Sequence, residues 1–295
     1  MKSSILSIFK TGSCAVAMII VGVSCKKDGN PNNLPPVNPA DYEGKIDGFL
    51  SSDEVFPNNV VAYWSFDDTK NELKSNTAPF SSLNDSYGTG VRGKSLNLAN
   101  GYVYYKQQFN AFKTDQLTNW SLSAWVKLKN NALKRTMLFQ MARPGVFNGN
   151  INVALNTQSY PATNDSTLRL NPTFLTVGGG TQDNLNSAAG QDKVNLNEWV
   201  HIVLTYDYST GVFNNWINGV KVGNFPNRGV GNNLFKSYEP SEVFFGANYN
   251  AAGMPVSADV AFAPMTGSID EVRVFNKTLP DAFIRSLYSL GKAGK

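Results

Sequence analysis

The chain has 295 residues, and its 26 basic and 22 acidic side chains leave a formal net charge of only +4 at pH 7. No long basic run is present, so a nucleic-acid-binding surface is not expected. Charged residues make up 16% of the chain, below the roughly 25% of typical domains. Neutral polar side chains replace them, which suits hydrogen bonding to neutral sugars, although a general compositional bias explains the same numbers.

The N-terminus has the pattern of a targeting segment. Lys2 and Lys10 form a basic region, and residues 15–23 form an apolar run that is too short to span a bilayer as a helix. The run ends in Gly22-Val23-Ser24-Cys25, which resembles a bacterial lipobox. We therefore expect residues 1–24 to be a lipoprotein signal peptide and Cys25 to be the lipidated anchor. An ordinary secretory signal with an incidental Cys is the alternative.

The rest of the chain divides into a tether and a domain. Both cysteines lie in the first 25 residues, so the remainder has neither a disulfide nor a thiolate metal site. Residues 25–58 are poor in apolar residues and contain several Pro and Asn, the composition of a flexible tether. Residues 59–295 are enough to be stable through a hydrophobic core alone, and we predict one folded domain there.

Short strand-like segments separated by turn signals indicate an antiparallel β-sandwich. Ser121–Leu128 places Leu122, Ala124, Val126 and Leu128 on one face, as a half-buried strand does. Asn100-Gly101 and Asn218-Gly219 each predict a two-residue hairpin turn. Pro280 begins a segment with helical apolar spacing, and Gly291 is expected to end this helix.

The last strand has an irregular apolar pattern. Val272 and Val274 share a face, whereas Ile269 has the opposite parity. If all three are buried, the strand needs a β-bulge near Asp270-Glu271. Otherwise, Ile269 lies outside the regular ladder.

Four segments, in order along the chain, resemble the concanavalin A-like, laminin-G-like jelly rolls. They are the segments at Tyr63–Asp67, Trp120–Val126, Trp199–Asp207 and Gly267–Leu279. The resemblance implies an all-β fold over about residues 59–291: an antiparallel β-sandwich of jelly-roll type with a short C-terminal helix. Domains of this type mostly present sugar-binding or protein-binding surfaces, and one branch is catalytic.

The catalytic branch, which includes laminarinases, needs Glu-x-Asp-x-x-Glu on one strand, so that the nucleophile and the acid share a face. The chain does not contain this motif, and Asp270 and Glu271 are neighbours that point to opposite faces of a regular strand. His201 is the only His, and the resemblance implies a structural role for it. We therefore predict that the protein is not an enzyme, although the sequence leaves open a carboxylate pair from separate loops.

Calcium is the one metal cofactor that the resemblance raises. In laminin-G-like domains, an acidic residue shortly after the first strand joins the Asp of the closing strand and several carbonyl groups around the ion. Calcium prefers six to eight oxygen ligands. The expected ligands here are Asp270 from the closing strand, with Asp67 and Glu72 as the early acids.

Long loops rich in Gly, Asn, Pro and Ser carry the candidate sugar-binding residues. A neutral sugar is usually held by an aromatic face with a few amide or guanidinium donors. The loop residues with this chemistry are Arg143, Asn148, Tyr160, Arg228, Asn232 and Tyr249. The alternative is that they hold their own loops together, with Asn closing turns. The five Trp residues lie in or next to predicted strands and are expected in the core.

The sequence thus favours a non-catalytic carbohydrate-binding lipoprotein of the bacterial outer membrane, at the cell surface or on the periplasmic face. Lys26-Lys27-Asp28 resembles the start of surface-export tails in Bacteroidetes lipoproteins. The expected partners are a polysaccharide or oligosaccharide, the membrane, and components of a glycan-uptake complex. A protein-interaction or adhesion module and a divergent glycoside hydrolase are the alternatives, because the fold alone does not choose between them.

Overall fold

The computed structural model describes residue 38 and residues 42–129, 134–156, 165–186 and 192–295. The chain divides into two units, Met1–Glu43 and Gly44–Lys295. The predicted lipidation site Cys25 and the candidate residue Tyr160 lie outside the described residues. The predicted boundary between tether and domain at residue 58 falls inside the second unit.

The second unit consists mainly of β-strands. The strands are β1 (Val60–Trp64), β2 (Ser81–Thr89), β3 (Lys94–Tyr105), β4 (Trp120–Leu128), β5 (Arg135–Arg143), β6 (Val146–Asn156), β7 (Thr167–Leu175), β8 (Thr181–Gln182), β9 (Asp192–Lys193), β10 (Val200–Asp207), β11 (Val212–Ile217), β12 (Val220–Phe225), β13 (Glu242–Phe245), β14 (Phe262–Ala263) and β15 (Met265–Phe275). The C-terminal helix α1 spans Asp281–Lys292, so the predicted helix is confirmed. Within the described ranges, no helix has the length and apolar character needed to cross a membrane.

The strands form two layers that are joined by β3 and β15. The first layer has the order β12-β11-β10-β4-β15, with β1 paired to β15. The second layer runs β2-β3-β13-β5-β6-β7-β8. Strand β15 pairs with β3 along Met265–Ile269 and with β1 along Val272–Phe275, so it passes from one layer to the other. The predicted antiparallel jelly-roll sandwich is confirmed, with β14 and β5 as a parallel pair.

Alternate residues of the two layers fill the core between them. In β4, Leu122, Ala124 and Val126 are buried there, as their spacing predicts. The Trp64 ring lies at the centre of an aromatic cluster, with its centroid 5.0 Å from that of Phe245. Full burial of a large apolar side chain contributes about 1.5–3 kcal/mol, which is how a sandwich of this size is stable without a disulfide.

Helix α1 covers the outer face of the first layer. The apolar contacts come from Ile284, Leu287 and Leu290 of α1 and from Val203, Trp216 and Phe275 of the sheet. Gly291 lies inside α1, so the prediction that it ends the helix is wrong. A Cβ at Gly291 would lie 2.3 Å from the Trp125 ring, so the missing side chain is what lets α1 approach β4 closely.

The segment before β1 packs against the same helix. Val55 is completely buried in this cluster, and Ile46 and Phe49 pack against it. The ring of Phe56 lies 4.6 Å from that of Phe283 in an edge-on contact. These residues therefore belong to the folded unit, although the low apolar content of residues 25–58 as a whole predicts a tether.

The predicted β-bulge in the closing strand is confirmed. The register of β15 against β4 shifts between Asp270 and Arg273, and Glu271 has a φ of 50°. The bulge allows Ile269, Val272 and Val274 all to be buried. Because a positive φ is unfavourable for a residue with a Cβ, the contacts of Glu271 must hold this conformation.

The two Asn-Gly pairs differ in outcome. Asn218-Gly219 joins β11 to β12 with a φ of 51° and 75°, so this hairpin is confirmed. The hairpin predicted at Asn100-Gly101 is wrong, because β3 continues through it as one strand. Asn100 has a φ of 58°, and the partner strands shift register at this point, so the pair forms an irregularity within the sheet instead of a turn.

Candidate functional site

Arg143 and Asn148 lie on a tight hairpin. Arg143 ends β5 and pairs with Val146 at the start of β6, so the prediction that Arg143 and Asn148 lie in a long loop is wrong. The Arg143 guanidinium lies 4.8 Å from the ring centroid of Tyr238. The side-chain amide of Asn148 donates to Oγ1 of Thr181 at 3.4 Å.

Asn232 lies in the connection that leads to Tyr238. It is exposed, and its backbone carbonyl accepts a hydrogen bond from the Gly178 amide at 2.9 Å. The side-chain amide of Asn150 donates to the Tyr238 carbonyl at 2.8 Å and accepts a hydrogen bond from the Tyr238 amide at 3.0 Å, which fixes the backbone of Tyr238. Arg143 and Asn232 thus both help to hold the connection between β12 and β13, Arg143 through Tyr238 and Asn232 through its backbone, whereas Asn148 is bonded to β8.

Arg228 and Tyr249 are placed differently. Arg228 is exposed, whereas Tyr249 is only 6% exposed. The ring of Tyr249 packs edge-on against Phe244 at 5.1 Å, and its hydroxyl donates to the Glu242 carboxylate. Burial and this carboxylate raise the pKa of Tyr249. Its ring is therefore part of an apolar cluster on the outer face of the second layer. In this structure it offers no free face for a sugar, unlike the exposed loop aromatic that the sequence suggests.

A groove beside Trp199 has the composition of a ligand site. Trp64, Trp120, Trp125 and Trp216 are at most 3% exposed, whereas Trp199 is only partly buried. The groove has a volume of about 490 Å³ and is lined by Gly90, Val91, Lys127, Asn197, Glu198, Trp199, Gly291 and Lys292. We call it the Trp199 groove. Trp199 directly precedes β10, so its sequence context predicts a core position and does not indicate the groove.

A second groove adjoins the first at Asn197. It has a volume of about 640 Å³ and is lined by Asp165, Ser166, Val194, Asn195, Asn197 and Asn218. The Asn197 amide donates to Oδ2 of Asp165 at 2.6 Å, and the Asn195 amide donates to Oε1 of Glu198 at 3.2 Å. These bonds fix the orientation of the amides. The amides and the Trp199 ring therefore form a preorganised surface of one aromatic ring and several amide groups.

Asp270 and Asp67 hold the same turn. The Oδ2 atom of Asp270 accepts the Val91 amide at 2.7 Å, and Oδ1 of Asp67 accepts the Lys94 amide at 2.6 Å. Burial raises the pKa of Asp270 to about 8, and the charge of Glu271 adds to the rise. Asp67 and Asp270, two of the three predicted calcium ligands, therefore accept hydrogen bonds from the backbone of the turn between β2 and β3.

The third predicted calcium ligand, Glu72, belongs to a different turn. Its carboxylate accepts the backbone amides of Tyr63, Lys74 and Ser75 at 2.7–2.9 Å. Among the described residues, no group of three or more His, Cys, Asp or Glu side chains is placed to hold a metal ion. Asp67, Glu72 and Asp270 thus do not form a common ligand set, and calcium binding stays a prediction.

A buried ionic network lies beneath α1. The Nη2 atom of Arg273 is 2.5 Å from Oε2 of Glu271, and both side chains are at most 3% exposed. Arg92 is 3.3 Å from the same Glu271 oxygen, and the Tyr63 hydroxyl donates to Glu271 at 2.9 Å. These contacts hold Glu271 in its unusual backbone conformation and lock the bulge of β15 against the turn after β2.

His201 is enclosed next to this network. It is 1% exposed, its Nε2 lies 2.9 Å from Oγ of Ser123, and its ring stacks 4.7 Å from Trp125. Burial lowers the pKa of His201 to about 3, and the positive charge of Arg273 acts in the same direction. An enclosed, neutral imidazole of this kind has a structural role and does not face solvent.

The Glu residues after residue 59 are mostly engaged in structure. Glu72, Glu242 and Glu271 are at most 4% exposed and accept hydrogen bonds. Glu198 and Glu239 are exposed. No two of these five residues lie on one strand with the spacing of the Glu-x-Asp-x-x-Glu motif of the catalytic branch.

Comparison with known proteins gives the family. The model of a family described as the concanavalin A-like lectin/glucanases superfamily matches residues 99–285. A search of curated proteins found no match. The family match covers more than half of the chain, so the chain belongs to this superfamily.

Solved structures show the same fold at low identity. Domain 4 of AbnA, an extracellular GH43 arabinanase from Geobacillus stearothermophilus in complex with arabinotriose, is 20% identical over 78% of this chain and 98% of its own, with a TM-score of 0.54. The binding domain of Paraclostridial Mosquitocidal Protein 1 is 15% identical over 78% of this chain, with a TM-score of 0.55. The binding domain of botulinum neurotoxin serotype D/C is 13% identical over 79%, with a TM-score of 0.54. This chain spans about half the length of these last two structures, 52% of each.

Proposed function

We propose that this member of the superfamily is a non-catalytic carbohydrate-binding protein and that the Trp199 groove and its neighbour hold the glycan. The observation that carries the proposal is a partly exposed Trp beside oriented Asn side chains in two adjoining grooves of about 490 and 640 Å³. The arabinotriose-bound arabinanase domain of the same fold supports a sugar ligand.

The chemistry of the groove matches a sugar ring. Such a ring has an apolar side, which packs on an aromatic face, and a rim of hydroxyl groups that need hydrogen-bond partners. Trp199 supplies the face, and Asn195 and Asn197 supply amide donors and acceptors. Lys127, Lys292 and Glu198 line the same groove, so its charges are mixed and a neutral glycan is the ligand class that fits best.

The arrangement of carboxylates supports binding without turnover. A glycosidase needs one carboxyl group that is protonated and one that is ionised on either side of the scissile bond. Glu198 and Asp165 are the acidic residues of the two grooves, and each accepts a hydrogen bond from an Asn amide. Both carboxylates thus serve as acceptors that orient the amides of the grooves.

The proposed setting is the outer membrane, at the cell surface or on the periplasmic face, with a lipid on Cys25 and the glycan passed to an uptake complex. The pattern Gly22-Val23-Ser24-Cys25 supports the anchor. Two acyl chains anchor a protein far more stably than one. Cys25→Ala is expected to move the protein from the membrane to the soluble fraction, and wild-type protein found only in the soluble fraction would contradict the anchor.

A glycan array read beside a turnover assay tests the function. The proposal predicts that the purified protein retains neutral polysaccharides or oligosaccharides and releases no reducing ends from them. Turnover that is lost when Glu198 or Asp165 is changed to its amide would show a glycosidase instead. A blank array would contradict glycan binding and favour the protein-interaction module.

A further inference from the structure

A second concave surface lies at the opposite end of the β2–β3 pair from the turn that Asp270 holds. Ser81 at the start of β2 pairs with Tyr104 near the end of β3, and the Phe80 amide donates to the Tyr104 carbonyl at 2.8 Å. This antiparallel register brings Phe80 next to Lys106 and Gln107, although 25 or more residues separate them in the sequence. The side chain of Phe80 is 65% exposed.

Two grooves meet at Gln107. One has a volume of about 340 Å³ and is lined by Ala78, Pro79, Phe80, Lys106 and Gln107. The other has a volume of about 460 Å³, and its lining includes Glu72, Lys74, Thr77, Gln107 and Gln108. We call the pair the Phe80 groove. Gln107 donates to Oγ1 of Thr77 at 2.9 Å, which links the two parts.

The charges that face solvent in the Phe80 groove are positive. Lys106 Nζ lies 5.1 Å from the centroid of the Phe80 ring, and Lys74 is exposed. The acidic residue of the groove, Glu72, is 1% exposed, and its two oxygens accept hydrogen bonds from the Lys74 and Ser75 amides of the turn. In the described part of the chain, Lys74 and Lys106 have no salt-bridge partner. An exposed ring thus stands beside amide groups and two uncompensated cations.

We propose that the Phe80 groove binds an acidic saccharide, with the sugar ring on Phe80 and the anionic group on Lys106. A carboxylate or a sulfate supplies the negative charge that pairs with the two Lys side chains, and the amides of Gln107 and Gln108 form hydrogen bonds with the hydroxyl groups of the sugar. The Trp199 groove differs because the exposed residue Glu198 lines it as well as two Lys residues. The Phe80 groove is a second site, and its ligand does not depend on the assignment of the Trp199 groove.

Calorimetric titration of the purified full chain tests this site. The probes are a galacturonic acid trisaccharide, the neutral galactose trisaccharide with the same ring, and a sulfated disaccharide. In Trp199→Ala, which lacks the aromatic face proposed for neutral glycans, the uronate or the sulfated probe is expected to bind at least about tenfold more tightly than the neutral one, a difference of about 1.4 kcal/mol. The stronger of the two acidic probes identifies the anionic group, and higher salt is expected to weaken its binding.

Four variants distinguish binding in the Phe80 groove from binding elsewhere on the protein. Phe80→Ala and Lys106→Gln are each expected to weaken the acidic probe at least about tenfold, or about 1.4 kcal/mol. Leu83→Ala, which also alters an exposed apolar residue of β2 (47% exposed), and Trp199→Ala are expected to leave it unchanged. Equal affinity of Trp199→Ala for acidic and neutral probes, no binding of either acidic probe, or acidic binding that survives both Phe80→Ala and Lys106→Gln would overturn the proposal. Loss of acidic binding in Trp199→Ala alone would assign that ligand to the other groove and overturn it as well.

Discussion

The Oδ1 atom of Asp53 lies 2.8 Å from Nη2 of Arg273. Asp53 precedes β1, in a segment whose composition predicts a tether, whereas Arg273 lies in the closing strand and is 3% exposed. The same Nη2 atom is 2.5 Å from Glu271, which is 2% exposed. The buried guanidinium therefore has two carboxylate partners, one half-exposed and one buried, and the first of them ties the N-terminal segment to the last strand.

The two partners of Arg273 are expected to differ in their contribution to stability. Glu271→Gln leaves the buried Arg273 cation with only the half-exposed Asp53 as carboxylate partner, and breaking a buried pair in this way costs about 3–5 kcal/mol. Asp53→Asn removes a half-exposed partner, and solvent-exposed pairs contribute about 0–1 kcal/mol. The free energy of unfolding, measured by urea denaturation, is expected to fall far more for Glu271→Gln. Equal losses would contradict the assignment of Glu271 as the main partner.

His201 is expected to make stability depend on pH. Its pKa is about 3 in the folded state, below the usual value of 6.5. Between these values only the unfolded chain binds the proton, so this contribution is complete above pH 6.5 and is lost as the pH falls toward 3, at up to about 1.4 kcal/mol per pH unit. Asp270, whose pKa is raised to about 8, acts with the opposite sign over part of this range.

A difference measurement isolates the His201 contribution. The chain has one His, so the free energy of unfolding of wild type minus that of His201→Gln removes the shared contribution of Asp270. We expect this difference to shrink steadily from pH 6.5 to pH 4.5. A difference that stays constant over this range would show that His201 is protonated in the folded state as readily as in the unfolded state.

Calcium is expected to stabilise the fold if Asp270 joins backbone carbonyl groups around the ion, as the family resemblance implies. A ligand that binds only the folded state at 100 times its dissociation constant adds about 2.7 kcal/mol. The measurement is the rise in Tm between chelator and 10 mM calcium, which is about 10 to 100 times the dissociation constants of about 0.1–1 mM of weak extracellular sites. Asp270→Asn keeps only one acceptor oxygen, so it also breaks the hydrogen bond from either the Val91 or the Glu271 amide, and its Tm falls in both buffers.

The calcium-dependent rise is therefore the informative quantity, not the Tm itself. We expect the rise in wild type and its absence in Asp270→Asn. Asp85→Asn is a suitable control, because Asp85 pairs with Lys70 at 2.6 Å in β2 and is not a predicted calcium ligand. An unchanged wild-type Tm, or an equal rise in both variants, would remove Asp270 as a calcium ligand.

The sandwich and its closing strand could be predicted because their signals are local. The alternation in Ser121–Leu128 and the Asn218-Gly219 turn each depend on neighbouring residues, and the parity change at Ile269 predicts the bulge. Asn100-Gly101 has the same local preference as Asn218-Gly219, but β2, β13 and β15 pair with β3 around it. The extended pairing along β3 prevails over the turn preference of the pair.

The candidate site was harder to predict because it depends on distant contacts. Tyr249 lies in a connection whose composition indicates exposure, yet the connection folds back over Phe244 and buries the ring. Trp199 has the sequence context of a core residue, and only the positions of α1 and the turn after β2 create the groove beside it. Hydrophobic periodicity reports which face of a strand is buried, but it does not report which ends of distant elements meet.

Binding of a neutral oligosaccharide, selected from a glycan array, to Trp199→Ala tests the central claim most directly. The matched control is Tyr208→Ala, which removes another partly exposed aromatic side chain (37% exposed) outside both grooves. We expect calorimetry to show binding weakened by roughly 1–3 kcal/mol in Trp199→Ala, the range for stacking on an aromatic ring, with Tm nearly unchanged and wild-type affinity in Tyr208→Ala. Wild-type affinity in Trp199→Ala would contradict the assignment of the glycan to this groove.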